Sequence, residues 1–71
     1  MSPDKLAYMA NQIGKFFAHQ PHDKAVAAIA DHIQKFWDPR MRSEILAHLQ
    51  AVQLDPAARE AIEHLRESSR G

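Results

Sequence analysis

The spacing of the prolines is the feature that most constrains how this chain folds. Four prolines fall at positions 3, 21, 39 and 56, so that each lies 17 or 18 positions after the one before. Proline suits the first turn of a helix, where its missing N–H would have no partner, and it holds the preceding residue in the extended conformation of an N-cap. Ser2, Asp38 and Asp55 occupy that preceding position, and their side-chain oxygens can accept from first-turn N–H groups. The prolines therefore predict helices near residues 3–18, 21–36, 39–52 and 56–67.

Apolar residues recur every three or four positions in these segments, which is the period of a helix that buries one face. Good helix formers dominate, and the sequence lacks the sustained alternation of a β-strand. The fourth segment has the fewest large apolar residues and is expected to dock most weakly on the other helices. The predicted core stripes are Leu6, Met9, Ile13 and Phe16; Val26, Ile29, Ile33 and Phe36; Met41, Ile45, Leu49 and Val52; and Ile62 and Leu65 with Ala58 and Ala61. The predicted fold is all-α, a small bundle of about four short helices, with one domain over residues 1–67 and a flexible C-terminal tail over residues 68–71.

The first two segments resemble each other when they are aligned with an offset of twenty residues. Residues 10–17 read ANQIGKFF, and residues 30–37 read ADHIQKFW. Two helices packed on one core converge on similar amphipathic patterns, and this explanation covers the shared apolar positions. It does not cover the match of Lys15 with Lys35 on the outer face. We expect the two helices to form a quasi-symmetric antiparallel pair across a short connection.

Small residues line one flank of the first predicted helix, at Ala7, Ala10, Gly14 and Ala18. A glycine inside a helix costs about 0.5–1 kcal/mol relative to alanine. Close approach of another helix at Gly14 would offset this cost. The alternative is that the glycine is merely tolerated there.

The composition narrows the classes of function. A chain of 71 residues makes one small domain, too small to house a two-domain cofactor enzyme. It has no cysteine, which excludes disulfides and thiolate chemistry. Nine basic and nine acidic side chains cancel, so the cationic balance typical of nucleic-acid binding is missing. No apolar run approaches the ~20 residues that span a bilayer, and residues 1–5 lack the features of a signal peptide, so we expect a cytoplasmic protein that does not enter membranes.

Five histidines raise the question of a metal or acid–base site. Their spacing contains no HExxH motif and no pair four residues apart, so a metal site is not predicted. Glu44 precedes His48 by one helical turn, and Glu60 precedes His64 in the same way, which predicts polar-face ion pairs. The serines lack the glycine-flanked turn of an activated nucleophile. We therefore predict no catalytic residue, no cofactor-binding residue and no metal ligand, and we expect that the chain is not an enzyme.

Residues 35–42, KFWDPRMR, concentrate the only tryptophan and two arginines at the junction of the second and third segments. Aromatic and arginine side chains are enriched at the centres of protein interfaces. A structural corner is the alternative, because a hydrophobic residue before an N-cap packs back on the first turn and Arg42 lies within cation–π reach of Trp37. Tyr8 projects away from the predicted core stripe of its helix. The predicted partner interface consists of Tyr8, Trp37, Pro39, Arg40 and Arg42.

The sequence resembles the delta subunit of soluble, NAD-dependent, molybdenum-containing formate dehydrogenase. The resemblance covers residues 5–50 and rests on Lys5-Leu6, MANQIGKFF at residues 9–17, Ile29-Ala30-Asp31-His32 and KFWDPRMR at residues 35–42. It implies a non-catalytic accessory subunit that docks on the large alpha subunit and supports assembly, stability or cofactor loading of the complex. It also implies that the complex carries bis-molybdopterin guanine dinucleotide, iron–sulfur clusters, FMN and NAD, none of them bound by this chain.

Two other classes of function are compatible with the same residues. In the first, the chain is a self-associating structural or adaptor protein, whose apolar stripes pair two copies into a homodimer. In the second, it is a helix-turn-helix nucleic-acid binder, because the second and third predicted helices meet across a short turn. The net charge of zero opposes the second alternative.

Overall fold

Four α-helices joined by short loops make up the fold in the computed structural model, which describes residues 2–69. The helices are α1 (Pro3–Phe16), α2 (His22–Phe36), α3 (Pro39–Ala47) and α4 (Pro56–Ser69). Over this range there is no strand, and the prediction of a small all-α bundle is confirmed. None of the helices within residues 2–69 combines the length and the apolar character that crossing a bilayer requires.

The starts of α1 and α3 are fixed by the predicted caps. Ser2 Oγ accepts a hydrogen bond from the Lys5 N–H at 3.2 Å, and Asp38 Oδ1 accepts one from the Met41 N–H at 2.8 Å. Each cap of this kind contributes about 0.5–2 kcal/mol. The prolines at positions 3 and 39 follow these caps as the first helical residues.

The end of α2 and the start of α4 lie where they were predicted, and three other helix ends differ from the prediction by one or two residues. Pro21 is itself the N-cap of α2 and offers no side-chain hydrogen bond, so the helix begins at His22. α1 ends at Phe16, two residues before the predicted end, and the backbone of Phe17 is not helical. α4 continues to Ser69, which takes in the first half of the predicted tail. The rest of that tail, residues 70 and 71, lies outside the described residues.

α3 is much shorter than predicted, because it ends at Ala47 instead of residue 52. The imidazole Nδ1 of His48 lies 3.0 Å from the Glu44 carbonyl oxygen, to which it donates in the tautomer protonated at Nδ1. In a continuing helix this carbonyl would accept from the backbone N–H of His48. That N–H instead reaches the Ile45 carbonyl at 3.2 Å, which tightens the last turn. The chain then leaves the helix.

The residues after α3 nevertheless reach the core, because Arg59 binds the backbone of this loop. Its Nη1 donates to the Leu49 carbonyl at 3.0 Å, and its Nη2 donates to the Val52 carbonyl at 3.2 Å. Both Leu49 and Val52 are buried, as their place in the predicted stripe required. The guanidinium thus donates hydrogen bonds to carbonyls that would accept from backbone N–H groups if the helix were longer.

Asn11 of α1 ties down the end of the same loop. Its Nδ2 donates to the Gln53 carbonyl at 3.1 Å, and its Oδ1 accepts from the Asp55 N–H at 2.8 Å. One amide therefore fixes the chain immediately before α4 begins. We call Asn11 and Arg59, together with Arg42 described below, the loop clamps.

α4 is a principal element of the bundle, so the expectation that it would dock most weakly is wrong. α2 packs more extensively on α4 than on α1, and α4 also contacts α1 and α3. Alanines explain why α4 packs more extensively than expected. Small side chains let helix axes approach closely and bring larger neighbouring side chains into contact. Buried residues from all four helices form one cluster with the loop residues Trp37, Leu49 and Val52. Its helical members are Leu6, Ala7, Ala10, Val26, Ile29, Ile33, Ile45, Ala58, Ala61, Ile62 and Leu65.

Gly14 lies where α1 meets both α2 and α4. A Cβ atom at this position would lie 3.8 Å from Ile29 Cδ1 and 3.9 Å from Ala58 Cβ, which are ordinary contact distances. The site therefore has room for one methyl group. Packing makes a small residue necessary here, but it does not require glycine.

Substitutions at Gly14 test this geometry. Gly14→Ala is expected to raise the free energy of unfolding by about 0.5–1 kcal/mol, because alanine favours the helix and its methyl group fits. Gly14→Leu is expected to lower it by roughly 1–3 kcal/mol, because the additional atoms meet Ile29 and Ala58. Urea unfolding followed by circular dichroism measures both. Equal stabilisation by alanine and leucine would show that neither neighbour confines the site.

Two residues of the predicted core stripes lie on the surface instead. The Phe16 side chain is 74% exposed and that of Phe36 is 71% exposed. Each is the last residue of its helix, and the aromatic residue that follows, Phe17 or Trp37, is the C-cap. Because the backbone leaves the helix at the cap, the cap residue turns toward the core in place of its predecessor. Helical periodicity alone could not show this exchange.

Candidate functional site

The predicted interface residues at the corner between α2 and α3 divide into structural and exposed groups. Trp37 is only 5% exposed and belongs to the core. Arg42 is half-buried, and its Nη1 donates to the Trp37 carbonyl at 2.6 Å and to the Gln34 carbonyl at 3.2 Å. These bonds satisfy carbonyls at the C-terminal end of α2. The arrangement favours the interpretation of this corner as structural.

Pro39 and Arg40 remain exposed at the same corner. Arg40 borders a groove of about 300 Å³ whose lining mixes apolar and charged side chains. Tyr8 is 64% exposed and borders a different groove, next to Asn11 and Gln53. The structure thus groups four of the five predicted interface residues at one corner and places Tyr8 at a separate groove. The other residues that line the Arg40 groove are Leu6, Asp38, Met41 and Glu44.

A second surface, missed by the sequence prediction, is formed by α1 and α2. The ring of Phe16 meets that of Phe17 edge to face, with centroids 5.1 Å apart, and the ring of Phe36 lies 4.7 Å from that of His32. His32, Phe16 and the C-cap residue Phe17 line one groove of about 290 Å³ together with Ile13 and Gln12. We call Ile13, Phe16, Phe17, His32 and Phe36 the aromatic face.

Two lysines lie at the ends of the helices that form the aromatic face. Lys15 and Lys35 immediately precede the two exposed phenylalanines, and both are exposed in the last turns of their helices. Lys35 Nζ pairs with Asp31 Oδ2 at 3.1 Å, and both side chains are well exposed. Such an exposed pair contributes at most about 1 kcal/mol, so a closer partner could displace it. The twenty-residue repeat therefore places the same Lys-Phe pair at the end of both helices.

Exposure of these two rings is the unusual property of the surface. Burial of one phenylalanine side chain is worth about 1.5–3 kcal/mol, and the bundle obtains little of this from Phe16 or Phe36. The signal was present in the sequence, because the offset alignment matches Phe16 with Phe36 as well as Lys15 with Lys35. Core packing was a sufficient explanation for the matched phenylalanines, so only the matched lysines pointed to the surface.

Three other histidines lie in small polar arrangements elsewhere. Glu60 contacts His22 Nε2 at 3.0 Å and His64 Nε2 at 3.8 Å, and His48 Nδ1 lies 3.5 Å from Glu44 Oε2. The two predicted glutamate–histidine contacts are thus confirmed. The side chains are exposed and the pairs are charged only while histidine is protonated, so each contributes little. Across the part of the chain that the structure describes, no group of three or more His, Cys, Asp and Glu residues could hold a metal ion.

Comparison with models of protein families identifies a family for this chain. The family model of the NADH-dependent formate dehydrogenase delta subunit, FdsD, matches residues 5–62. The match continues past residue 50, where the resemblance described above ends, and includes α4 as far as Ile62. Searches of curated proteins and of solved structures found no match.

Proposed function

The protein belongs to the family of NADH-dependent formate dehydrogenase delta subunits, and from this membership we propose that it is a non-catalytic accessory subunit docked on the large alpha subunit. In this role it supports assembly and stability of the complex. Family membership places it in a formate dehydrogenase complex. The docking partner and the accessory role are the proposed part.

The exposure of Phe16 and Phe36 is the observation that carries the proposal. Interfaces are enriched in aromatic residues, and the few residues that dominate their energy lie in surfaces that become dry on binding. A small bundle that leaves two phenylalanine rings in water gains stability when another protein covers them. The same contact stabilises the complex. A subunit that binds only the assembled complex shifts the equilibrium between separate and assembled subunits toward assembly.

We also propose that the redox cofactors of the complex are held by its other subunits. Iron–sulfur clusters are bound mainly by cysteine thiolates, and this chain contains no cysteine. At 71 residues it is also much smaller than the domains that enclose a flavin or a dinucleotide.

Purification of the complex with and without this chain tests the accessory role. We expect the chain to copurify with the alpha subunit, and we expect a complex made without it to dissociate at lower temperature and to lose formate-dependent NAD reduction. Addition of the purified chain should restore stability and activity. A complex that forms, reacts and resists heat equally well without the chain would contradict the proposal.

Molybdenum content distinguishes stabilisation from cofactor loading. If the chain stabilises the assembled complex, molybdenum per alpha subunit is expected to be unchanged in the complex made without it. A fall in molybdenum at constant subunit ratio would assign the chain to cofactor loading instead. Elemental analysis of both preparations, with subunit ratios determined by mass spectrometry, gives the comparison.

A further inference from the structure

We propose that the aromatic face is the docking surface, and that its occupant is an amphipathic helix of another formate dehydrogenase subunit with aliphatic side chains on one face and carboxylates beside them. This inference rests on the proposed function and specifies the surface through which it operates. It differs from the sequence prediction, which placed the interface at Tyr8 and at the corner between α2 and α3.

The aromatic face is continuous across the two helices. Phe16 and the C-cap residue Phe17 line the groove from the end of α1, and His32 lines it from α2. Phe36 extends the surface, because its ring contacts that of His32. A single partner segment can therefore contact both exposed phenylalanines at once.

The open shape of the groove favours side chains of a protein over a small ligand. Its volume of about 290 Å³ is close to that of the smallest pockets for drug-sized ligands, but such pockets enclose most of the ligand. This groove is open, and its accessible lining is apolar. One or two aliphatic side chains would fill it, with the exposed rings packed around them.

The backbone of the partner is expected to be helical. Partners that add a strand need an exposed sheet edge, and residues 2–69 contain no strand. A groove between two helices instead accepts the apolar face of a third helix, whose side chains project at every third or fourth residue.

The charges next to the exposed phenylalanines in the chain favour an acidic partner. Lys15 and Lys35 each precede one of the two exposed phenylalanines, and Asp31 is the acid paired with Lys35. Lys15 also borders a separate groove with Gly14 and Ala18. Carboxylates on the partner would complement these lysines and orient the helix as it docks.

The area of the face indicates what it contributes. At about 150–250 Å² per aromatic residue, the two largely exposed rings present on the order of 200–350 Å², whereas a stable interface buries about 800 Å² on each partner. The rings therefore supply the centre of the interface rather than its full extent, and that is where the dominant residues of interfaces lie.

Paired variants test the rings. Binding of the complex that lacks this chain is measured for the unchanged protein, for F16A/F36A and for the matched surface variant Y8A/R40A, after circular dichroism shows that all three are folded. We expect F16A/F36A to weaken binding at least 30-fold, on the order of the loss of a dominant interface residue, and Y8A/R40A to change it less than about threefold.

Charge reversal tests the chemistry of the partner. K15E/K35E reverses the lysines that precede the exposed phenylalanines, and K5E/K24E reverses lysines near the opposite ends of the same two helices. We expect at least tenfold weaker binding for K15E/K35E at low salt, with the difference shrinking as salt is added, and little change for K5E/K24E. Equal effects of the two pairs would overturn the assignment of an acidic partner.

The outcomes separate this inference from the proposed function. Full binding by F16A/F36A, with loss of binding by Y8A/R40A, would overturn the aromatic face while leaving the accessory role intact. Failure of the unchanged chain to bind the complex would overturn both. If sedimentation shows that the isolated chain is a dimer that F16A/F36A converts to a monomer while binding to the complex persists, the face pairs two copies and the inference is wrong.

Discussion

Trp37→Ala is expected to unfold most of the isolated chain. The indole is buried among core residues from several helices, and truncation of a buried tryptophan costs about 3–5 kcal/mol. A single apolar core in a domain of this size rarely supplies more than about 3–5 kcal/mol, so the substitution removes most or all of the stability. Far-ultraviolet circular dichroism should show loss of helix at room temperature, and urea unfolding should lack a folded baseline.

The neighbouring residue provides the control. Phe36→Ala removes a side chain of similar type that lies largely in water, and it is expected to leave the helical content and the urea midpoint nearly unchanged. The two substitutions thus separate stability, which depends on Trp37, from binding, which depends on Phe36. Full helicity and an unchanged urea midpoint in the Trp37 variant would contradict the structural interpretation of the corner.

Arg59→Met is expected to lower the free energy of unfolding by roughly 2–3 kcal/mol. Methionine retains much of the apolar stem but neither hydrogen-bond donor, so the Leu49 and Val52 carbonyls both lose a partner. An unsatisfied buried acceptor costs about 1–3 kcal/mol. Water has partial access to these two carbonyls, so the cost for each is expected to lie near the lower end of that range. At 4–8 °C per kcal/mol, thermal unfolding should begin roughly 10–20 °C lower.

Two further variants show whether the hydrogen bonds cause this effect. Arg59→Lys retains the charge but not the fork of donors, and it is expected to fall between the unchanged chain and the methionine variant. Arg40→Met alters an exposed arginine and is expected to shift the midpoint by no more than a few degrees. A methionine variant at position 59 that melts like the unchanged chain would show that the loop after α3 does not depend on the guanidinium.

Local chemistry made the helix starts predictable, whereas tertiary contacts determined the end of α3. The caps at Ser2 and Asp38 require only a side-chain oxygen and a following proline, so they could be identified from adjacent residues. The end of α3 depends on a competing bond from His48 and on an arginine ten residues beyond Leu49. Spacing of apolar residues shows neither contact, although it correctly identified Leu49 and Val52 as core residues.

The contribution of α4 was underestimated for a different reason. Counting large apolar residues in a segment ignores how closely its backbone can approach a neighbour. Ala58 and Ala61 are fully buried, and they allow Ile62 and Leu65 to enter the core. Sequence pattern identified the four residues as a stripe but could not give the distance between the helices.

The candidate surface was predictable only in part. Aromatic and arginine content directed attention to the corner at Trp37, where the structure shows a buried ring and an arginine that binds backbone carbonyls. The offset repeat contained the signal for the aromatic face. Its interpretation required knowing that Phe16 and Phe36 each stand one residue before the chain turns inward.

The loop clamps bind backbone groups, so the hydrogen bonds that hold the chain between helices are made without the side chains of the loops. Asn11 contributes an amide, which donates and accepts, and Arg42 and Arg59 contribute guanidinium groups, which only donate. Their partners are backbone carbonyls and one backbone N–H. A substitution in a connecting segment that keeps the backbone group in place therefore keeps these bonds, so the connections can change in sequence while the clamping residues stay the same.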